Sequence, residues 1–185
     1  MKFQDDNDYI GRVLSGDVSA YAFLVEKHKN LVFSIVQKIV NNREDAEEIA
    51  QDVFLKAYQS MSTFERKSKF STWLYRIAYN AAISKTRKKK VDMVAIEETV
   101  ISNYSTDEIP HNMNELDGDE RQVMLEKALK SLPREDNLLI TLFYKNENSI
   151  EDISDIMGLS VSNVKVRLHR IRKRLYEEMI TMLKN

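Results

Sequence analysis

The sequence predicts an all-α protein built as two small helical domains, 1–90 and 120–185, joined by a flexible acidic linker over 91–119. Three observations carry that prediction. Apolar residues recur at helical spacing in nearly every periodic segment, only 4 glycines and 2 prolines interrupt 185 residues, and charge falls into three blocks. Residues 1–90 hold 16 Lys/Arg and 11 Asp/Glu, residues 91–120 hold none and 9, and residues 121–185 hold 12 and 9. A formal net charge of −1 therefore hides two basic ends around a wholly acidic middle.

From about Asp17 to Val40, a core-facing stripe runs through Tyr21, Leu24, Val25, His28, Leu31, Val32, Ile35, Val36 and Ile39. His28 on that stripe reads as a packed histidine rather than a ligand. A second helix, about Arg43 to Ser60, presents Ala46, Ile49, Ala50, Val53, Phe54, Ala57 and Tyr58 to the core. Its other face is Glu47, Glu48, Gln51, Asp52 and Leu55. Acidic outer faces are commonly just solvated; a leucine among the acids points to a protein partner.

Residues 61–90 interleave aromatics with positive charge, and no acid follows Glu65 in that stretch. Unpaired DNA needs both, because freed bases stack on π-faces while phosphates need cations; duplex binding needs only the cations. With Ser71 as N-cap, Leu74, Ile77, Ala78 and Ala81 share an apolar face, and Trp73, Arg76, Asn80 and Arg87 form a separate stripe. Trp73 taken alone reads first as a packing residue. Asn80 and Arg87 lie off the apolar face, and packing does not explain them.

Over 91–120 the helical period is lost in a segment containing an Asn-Tyr-Ser-Thr-Asp run and Pro110, which reads as a linker. Helices resume from about Asp119, with Val123, Leu125, Ala128 and Leu129, then Leu138, Leu139, Leu142 and Phe143 after Leu132-Pro133. The most specific local motif spans Ser149–Leu175. Ser149 and Asp152 have capping-box spacing, Ile150, Ile153, Ile156 and Met157 give a short buried face, Gly158 supplies a turn and Ser160 caps a second helix. That helix buries Val161, Val164, Leu168, Ile171 and Leu175 and carries six cations, and no acid, between Asn163 and Arg174. A helix-turn-helix of this kind sets its second helix in the major groove, with N-terminal residues at base edges and later cations on phosphates.

Composition narrows the chemistry further. The chain has no cysteine, so disulfides and thiolate metal sites are excluded. Its three histidines, His28, His111 and His169, have no metal-ligand spacing, and no catalytic motif or nucleophile constellation occurs. No cofactor, metal or enzymatic activity is expected. The acidic start MKFQDDNDY is not a signal peptide, and no apolar run approaches the roughly 18 residues of a membrane span. The expectation is a cytoplasmic protein with no membrane insertion.

Taken together, these segments resemble a bacterial RNA polymerase sigma factor of the extracytoplasmic-function (ECF) subfamily of the sigma-70 family. Asp45-Ala46-Glu47-Glu48-Ile49-Ala50-Gln51-Asp52-Val53-Phe54 is similar to the family's region 2.2. Phe64 and then Phe70 to Asn80 resemble regions 2.3 and 2.4, and Ser131-Leu132-Pro133 with the helix-turn-helix resembles domain 4. The resemblance implies core polymerase as partner, gripped at its β′ clamp helices through Asp45, Glu47, Glu48, Gln51, Asp52 and Leu55, with the β subunit also touched. It further implies promoter DNA, with Phe64, Trp73, Arg76, Asn80 and Arg87 at the minus-ten element. Ser162, Asn163, Lys165, Val166, Arg167, His169, Arg170 and Lys173 take the minus-thirty-five element. The acidic linker is implied to run through the polymerase's RNA path, and an anti-sigma factor is implied as a further partner. Departures fall in the last domain: Ser162-Asn163 where Gly-Thr is frequent, Asp152-Ile153-Ser154 where Glu-Ile-Ala is frequent, and Asn137 in place of arginine. They concern the promoter sequence rather than the role. A dimeric helix-turn-helix regulator binding duplex operator accounts for 149–175 alone and leaves the aromatic stripe and acidic linker unexplained.

Overall fold

Asp5 accepts a hydrogen bond from the Asn7 N–H and starts a helix that the periodicity does not announce, α1 (Asp6–Leu14), which buries only Ile10 and Val13. The structure is a computed structural model that describes residues 5–89 and 118–183. Helix α2 (Ser19–Val40) buries Leu24, His28, Val32, Ile35, Val36 and Ile39 of the expected stripe, with Ala20 added, while Tyr21, Val25 and Leu31 are only partly covered. Asn41 ends it in the left-handed region at φ 56°, a conformation asparagine tolerates better than most residues. Asn42 at once caps α3 (Arg43–Gln59), its side-chain oxygen accepting from the Asp45 N–H at 2.8 Å. Two adjacent asparagines thus turn the chain back on itself, and Tyr21 locks the corner by donating its hydroxyl proton to the Phe54 carbonyl at 2.6 Å.

A single 3-10 turn (Met61–Thr63) leads through Phe64 to α4 (Phe70–Lys89). Helix α4 starts at Phe70, so Ser71 lies inside it rather than capping it. Its buried face also differs from the expected one. Leu74 and Ala78 are buried, but Phe70, Tyr75, Tyr79 and Ala82 complete the face, while Ile77 and Ala81 are only partly covered. The reason is that α4 packs against both α2 and α3, so its buried arc is wide enough to take in tyrosines a single seam would leave out.

The later helices are α5 (Gly118–Ser131), α6 (Arg134–Tyr144), α7 (Ile150–Met157) and α8 (Val161–Leu183). The linker expected over 91–119 lies outside the described residues except for its last two positions, which open α5. Val123 and Leu125, part of the apolar pattern read for this helix, are exposed, and among its described side chains only Ala128 is fully buried. By their internal contacts the described helices form two units, α1–α4 with α7, and α5, α6 and α8. In the second unit α8 is the central element, packed on both α5 and α6 through Val164, Leu168, Ile171, Leu175 and Met179. Among the described residues every regular element is helical, in agreement with the all-α prediction.

Candidate nucleic-acid interface

The aromatic residues around the start of α4 assemble into one cluster. Phe64, Phe70 and Trp73 have ring centroids 5.3–5.7 Å apart, each tilted or edge-on to the others, the arrangement their quadrupoles favour. Phe64 and Phe70 are buried at 8% and 3% exposure, whereas Trp73 is partly exposed. Phe64 and Phe70 are therefore the foundation, and Trp73 is the ring that solvent can reach. One and two turns along, Arg76 and Asn80 are exposed, and Arg87 is exposed two turns further. Arg76 and Trp73 share the wall of a cleft of about 260 Å³ with Thr63 and Phe64. The structure thus brings Phe64, Trp73 and Arg76 together, places Phe64 beneath rather than at the surface, and leaves Asn80 and Arg87 further along the same helix.

Helix α8 makes a different use of its charges. Gly158, at φ 67°, supplies the turn before it, and the Leu159 N–H bonds back to the Ser154 carbonyl at 3.1 Å. The Ser160 hydroxyl then caps the helix by accepting from the Asn163 N–H at 3.2 Å. Ser162, Lys165 and Arg170 are exposed, and Asn163, Val166 and His169 are partly so. Arg167 is turned onto α6, where its Nε and Nη2 reach Asp136 at 3.1 and 2.6 Å and its Nη1 lies 3.6 Å from Glu135. Arg172 lies over the Phe143 and Tyr144 rings at 5.6 and 5.5 Å and donates from Nε to the Tyr144 hydroxyl at 2.8 Å. Lys173 and Arg174 face Glu177 and Glu178, one turn on, at 3.9 and 3.7 Å. Of the six cations between Asn163 and Arg174, Lys165 and Arg170 have no charged partner among the described residues. The pairing of Arg167 with Asp136, 31 positions away, has no local signal in the sequence.

The outer face of α3 stands as its pattern predicts: Glu47, Glu48, Gln51, Asp52 and Leu55 are all exposed, Leu55 at 57%. Asp45 is partly covered. Lys85 of α4, which the sequence reading left unassigned, reaches across to Asp45 and Glu48 at 3.6 and 3.5 Å. Among the described residues no group of three or more potential metal ligands is gathered, and no helix is long and apolar enough to cross a membrane.

Helices α3, α4 and α8 thus offer, in turn, an acidic face with an exposed leucine, an aromatic-cationic face and a helix with exposed cations. Two family models match the chain: Sigma-70 region 2 matches residues 24–91 and Sigma-70, region 4 matches residues 122–175. The chain is 33% identical over 177 residues to the ECF RNA polymerase sigma factor SigW of Bacillus subtilis, covering 92% of this chain and 94% of that one. It is 32% identical over 176 residues to the ECF RNA polymerase sigma-E factor of Escherichia coli K12, covering 92% of each. Among solved structures, the sigma factor RpoE bound to the anti-sigma factor NepR, from Bartonella quintana, superposes with a TM-score of 0.59 at 26% identity, over 84% of this chain and 93% of that one. CnrH, in complex with the cytosolic domain of CnrY, has the same fold, with a TM-score of 0.66 at 19% identity over 95% and 97% of the two chains. The chain belongs to the ECF sigma factors of the sigma-70 family. It acts as they do, binding core RNA polymerase and directing promoter recognition, DNA melting and transcription initiation.

Proposed function

We propose that the three faces divide the work of initiation among them. The outer face of α3, with Asp45, Glu47, Glu48, Gln51, Asp52 and Leu55, docks on the β′ clamp helices, its acids meeting basic residues around an apolar contact at Leu55. The α4 platform captures the separated non-template strand at the minus-ten element: bases stack against Trp73 on its Phe64–Phe70 foundation, Arg76 and Arg87 hold phosphates, and the Asn80 amide reads a base held out of the stack. Extruding a base costs a few kcal/mol, which stacking worth about 1–3 kcal/mol per base offsets. Helix α8 reads the minus-thirty-five element through Ser162, Asn163, Lys165, Val166, His169 and Arg170.

The observation that carries this reading is the layered aromatic cluster, buried below and open at Trp73, with exposed Arg76 and Asn80 one and two turns on. A dimeric duplex-binding regulator has no use for it. The reading gives the chain no catalytic step of its own and a place in the cytoplasm. An anti-sigma protein is the natural inhibitor, as RpoE and CnrH are each held by a partner in their solved complexes. The deciding experiment is reconstitution with core polymerase. The parent chain forms a holoenzyme that melts its promoter, and reversing charge at Glu48 and Asp52 to lysine abolishes holoenzyme formation at moderate salt. Tight, dimer-dependent binding of duplex DNA by the purified chain, with no affinity for core polymerase, would sink the reading.

A further inference from the structure

Beneath the aromatic platform lies a polar group that packing alone does not require. His28 sits on the buried stripe of α2 at 4% exposure, where its neighbours along the stripe are Leu24, Val32 and Ile35. Its Nε2 is 3.1 Å from Asp6 Oδ2 and its Nδ1 is 3.0 Å from the Tyr75 hydroxyl. An ionised carboxylate only accepts, so Nε2 carries the proton, and the Tyr75 O–H donates to Nδ1. Every member is satisfied. Burial alone raises the Asp6 carboxyl, yet hydrogen bonds from His28 and Lys27 outweigh it and hold Asp6 below its ordinary value of 3.8. Burial, and then the Asp6 charge, push Tyr75 well above the ordinary phenol range and keep it a donor.

We infer that His28 is a positioning residue for strand capture, fixing the platform on which the separated strand stacks. Two connections lead from it to Trp73. The imidazole packs edge-on against Phe70 at 5.6 Å, and Phe70 packs against both Phe64 and Trp73 at 5.7 Å. Through Asp6, His28 also anchors α1, which packs on the 3-10 turn Met61–Thr63 that sets the entry of Phe64. Rings in an all-apolar core can slide and repack; a fully satisfied buried network has one geometry and rigidifies what touches it. This assignment rests on the strand-capture role proposed for α4, with Tyr75 and Asp6 added to it.

Trp73 is the chain's one tryptophan, so the emission of the chain alone, read before core polymerase is added, reports the platform directly. The test uses holoenzyme and a single-stranded non-template minus-ten oligonucleotide, with His28→Gln, Tyr75→Phe and Trp73→Ala compared at a temperature where far-UV circular dichroism shows each chain folded. His28→Gln keeps an N–H near Asp6 but loses the Tyr75 acceptor and the ring against Phe70; Tyr75→Phe removes only one hydroxyl and guards against misfolding of the first. Both are expected to shift Trp73 emission and weaken strand binding about 5-fold, the loss typical of one buried hydrogen bond, with core affinity unchanged. The double variant is expected to lose less than the two singles combined, since they break one network. If both variants keep the parent's emission and strand affinity while Trp73→Ala loses binding, the inference fails and the strand-capture role stands. If Trp73→Ala also binds like the parent, the role itself fails and the inference with it.

Discussion

Helices α4 and α8 look alike in sequence, each rich in cations and nearly free of acids, but the structure gives their charges different duties. On α4, Arg76 and Arg87 are exposed, with no ion pair among the described residues, and the rings beside them are bound to one another. On α8, four of six cations between Asn163 and Arg174 are engaged within the protein, and Arg167 and Arg172 fasten α8 to α6. The physical reason is the amount of core available. Helix α4 is wedged between α2 and α3 and is held mainly by apolar burial, with the Tyr75–His28 hydrogen bond and the weak Lys85 pairs added to it. The smaller unit around α8 has less to bury and uses charge and cation–π contacts as fastenings. A count of positive residues therefore overstates how much charge α8 has available for a phosphate backbone.

The largest expected effect tests the first half of that comparison. Trp73→Ala removes the exposed ring while leaving Phe64 and Phe70 to fill the core. It is expected to slow open-complex formation about 5- to 150-fold, the range spanned by one lost base stack, as read by permanganate reactivity of the melted segment. Asn80→Ala is expected to melt DNA more slowly and to discriminate less among bases at the extruded position. Promoter opening at the parent rate by both variants would show that the aromatic layer on α4 is core and nothing more.

Two arginines three positions apart on α8 test the second half. Arg167→Met breaks the tie to Asp136, in which both side chains are about three-quarters buried. Its expected cost is about 1.5–3 kcal/mol of stability, as for hydrogen bonds to charged groups, with the salt dependence of promoter binding unchanged once folded protein is compared. Arg170→Ala is expected to do the reverse, leaving thermal stability near the parent's and lowering the slope of log affinity against log salt by about 0.9, the value for one phosphate contact. Matching salt slopes for the two variants would mean that Arg167 leaves Asp136 when DNA binds.

What the sequence made legible follows the same division. Apolar spacing located α2, α3, α7 and α8, because one seam of burial writes itself at helical period. It misassigned part of α4, where burial on two sides draws in Tyr75, Tyr79 and Ala82, and part of α5, where Val123 and Leu125 remain exposed. Helix α1 escaped notice because nine residues with two buried side chains leave little periodicity; its cap at Asp5 was the available signal. Local devices such as Gly158 and Ser160 were readable since their partners lie within a few positions. Long-range polar pairings were not. Nothing near Arg167 announces Asp136, nothing near His28 announces Tyr75, and the stripe position of His28 shows only that it is packed.

Lys85 is the exception on α4, and it yields the smallest expected effect. Among the described cations of that helix, Arg76, Lys85 and Arg87, it is the one that pairs with acids, Asp45 and Glu48 on the helix proposed to face polymerase. In the free protein it partly neutralises two of the acids proposed to meet basic residues of the β′ clamp helices, so an incoming cation must compete with it. Contacts of 3.5–3.6 Å with Glu48 two-thirds exposed are weak; such pairs are worth about 0.2–1 kcal/mol. Lys85→Met is therefore expected to tighten core binding by about 1.4- to 5-fold at low ionic strength, the affinity change equivalent to that energy range. The gain shrinks as salt screens the freed acids. Lys85→Arg keeps the charge and is expected to match the parent. Because Lys85 also lies on the helix proposed to capture DNA, the measurement is core affinity in the absence of DNA, across a salt series. Weaker core binding by Lys85→Met would reverse the interpretation: Lys85 would then hold Asp45 and Glu48 in the orientation that polymerase recognises, and α4 would contribute to docking as well as to strand capture.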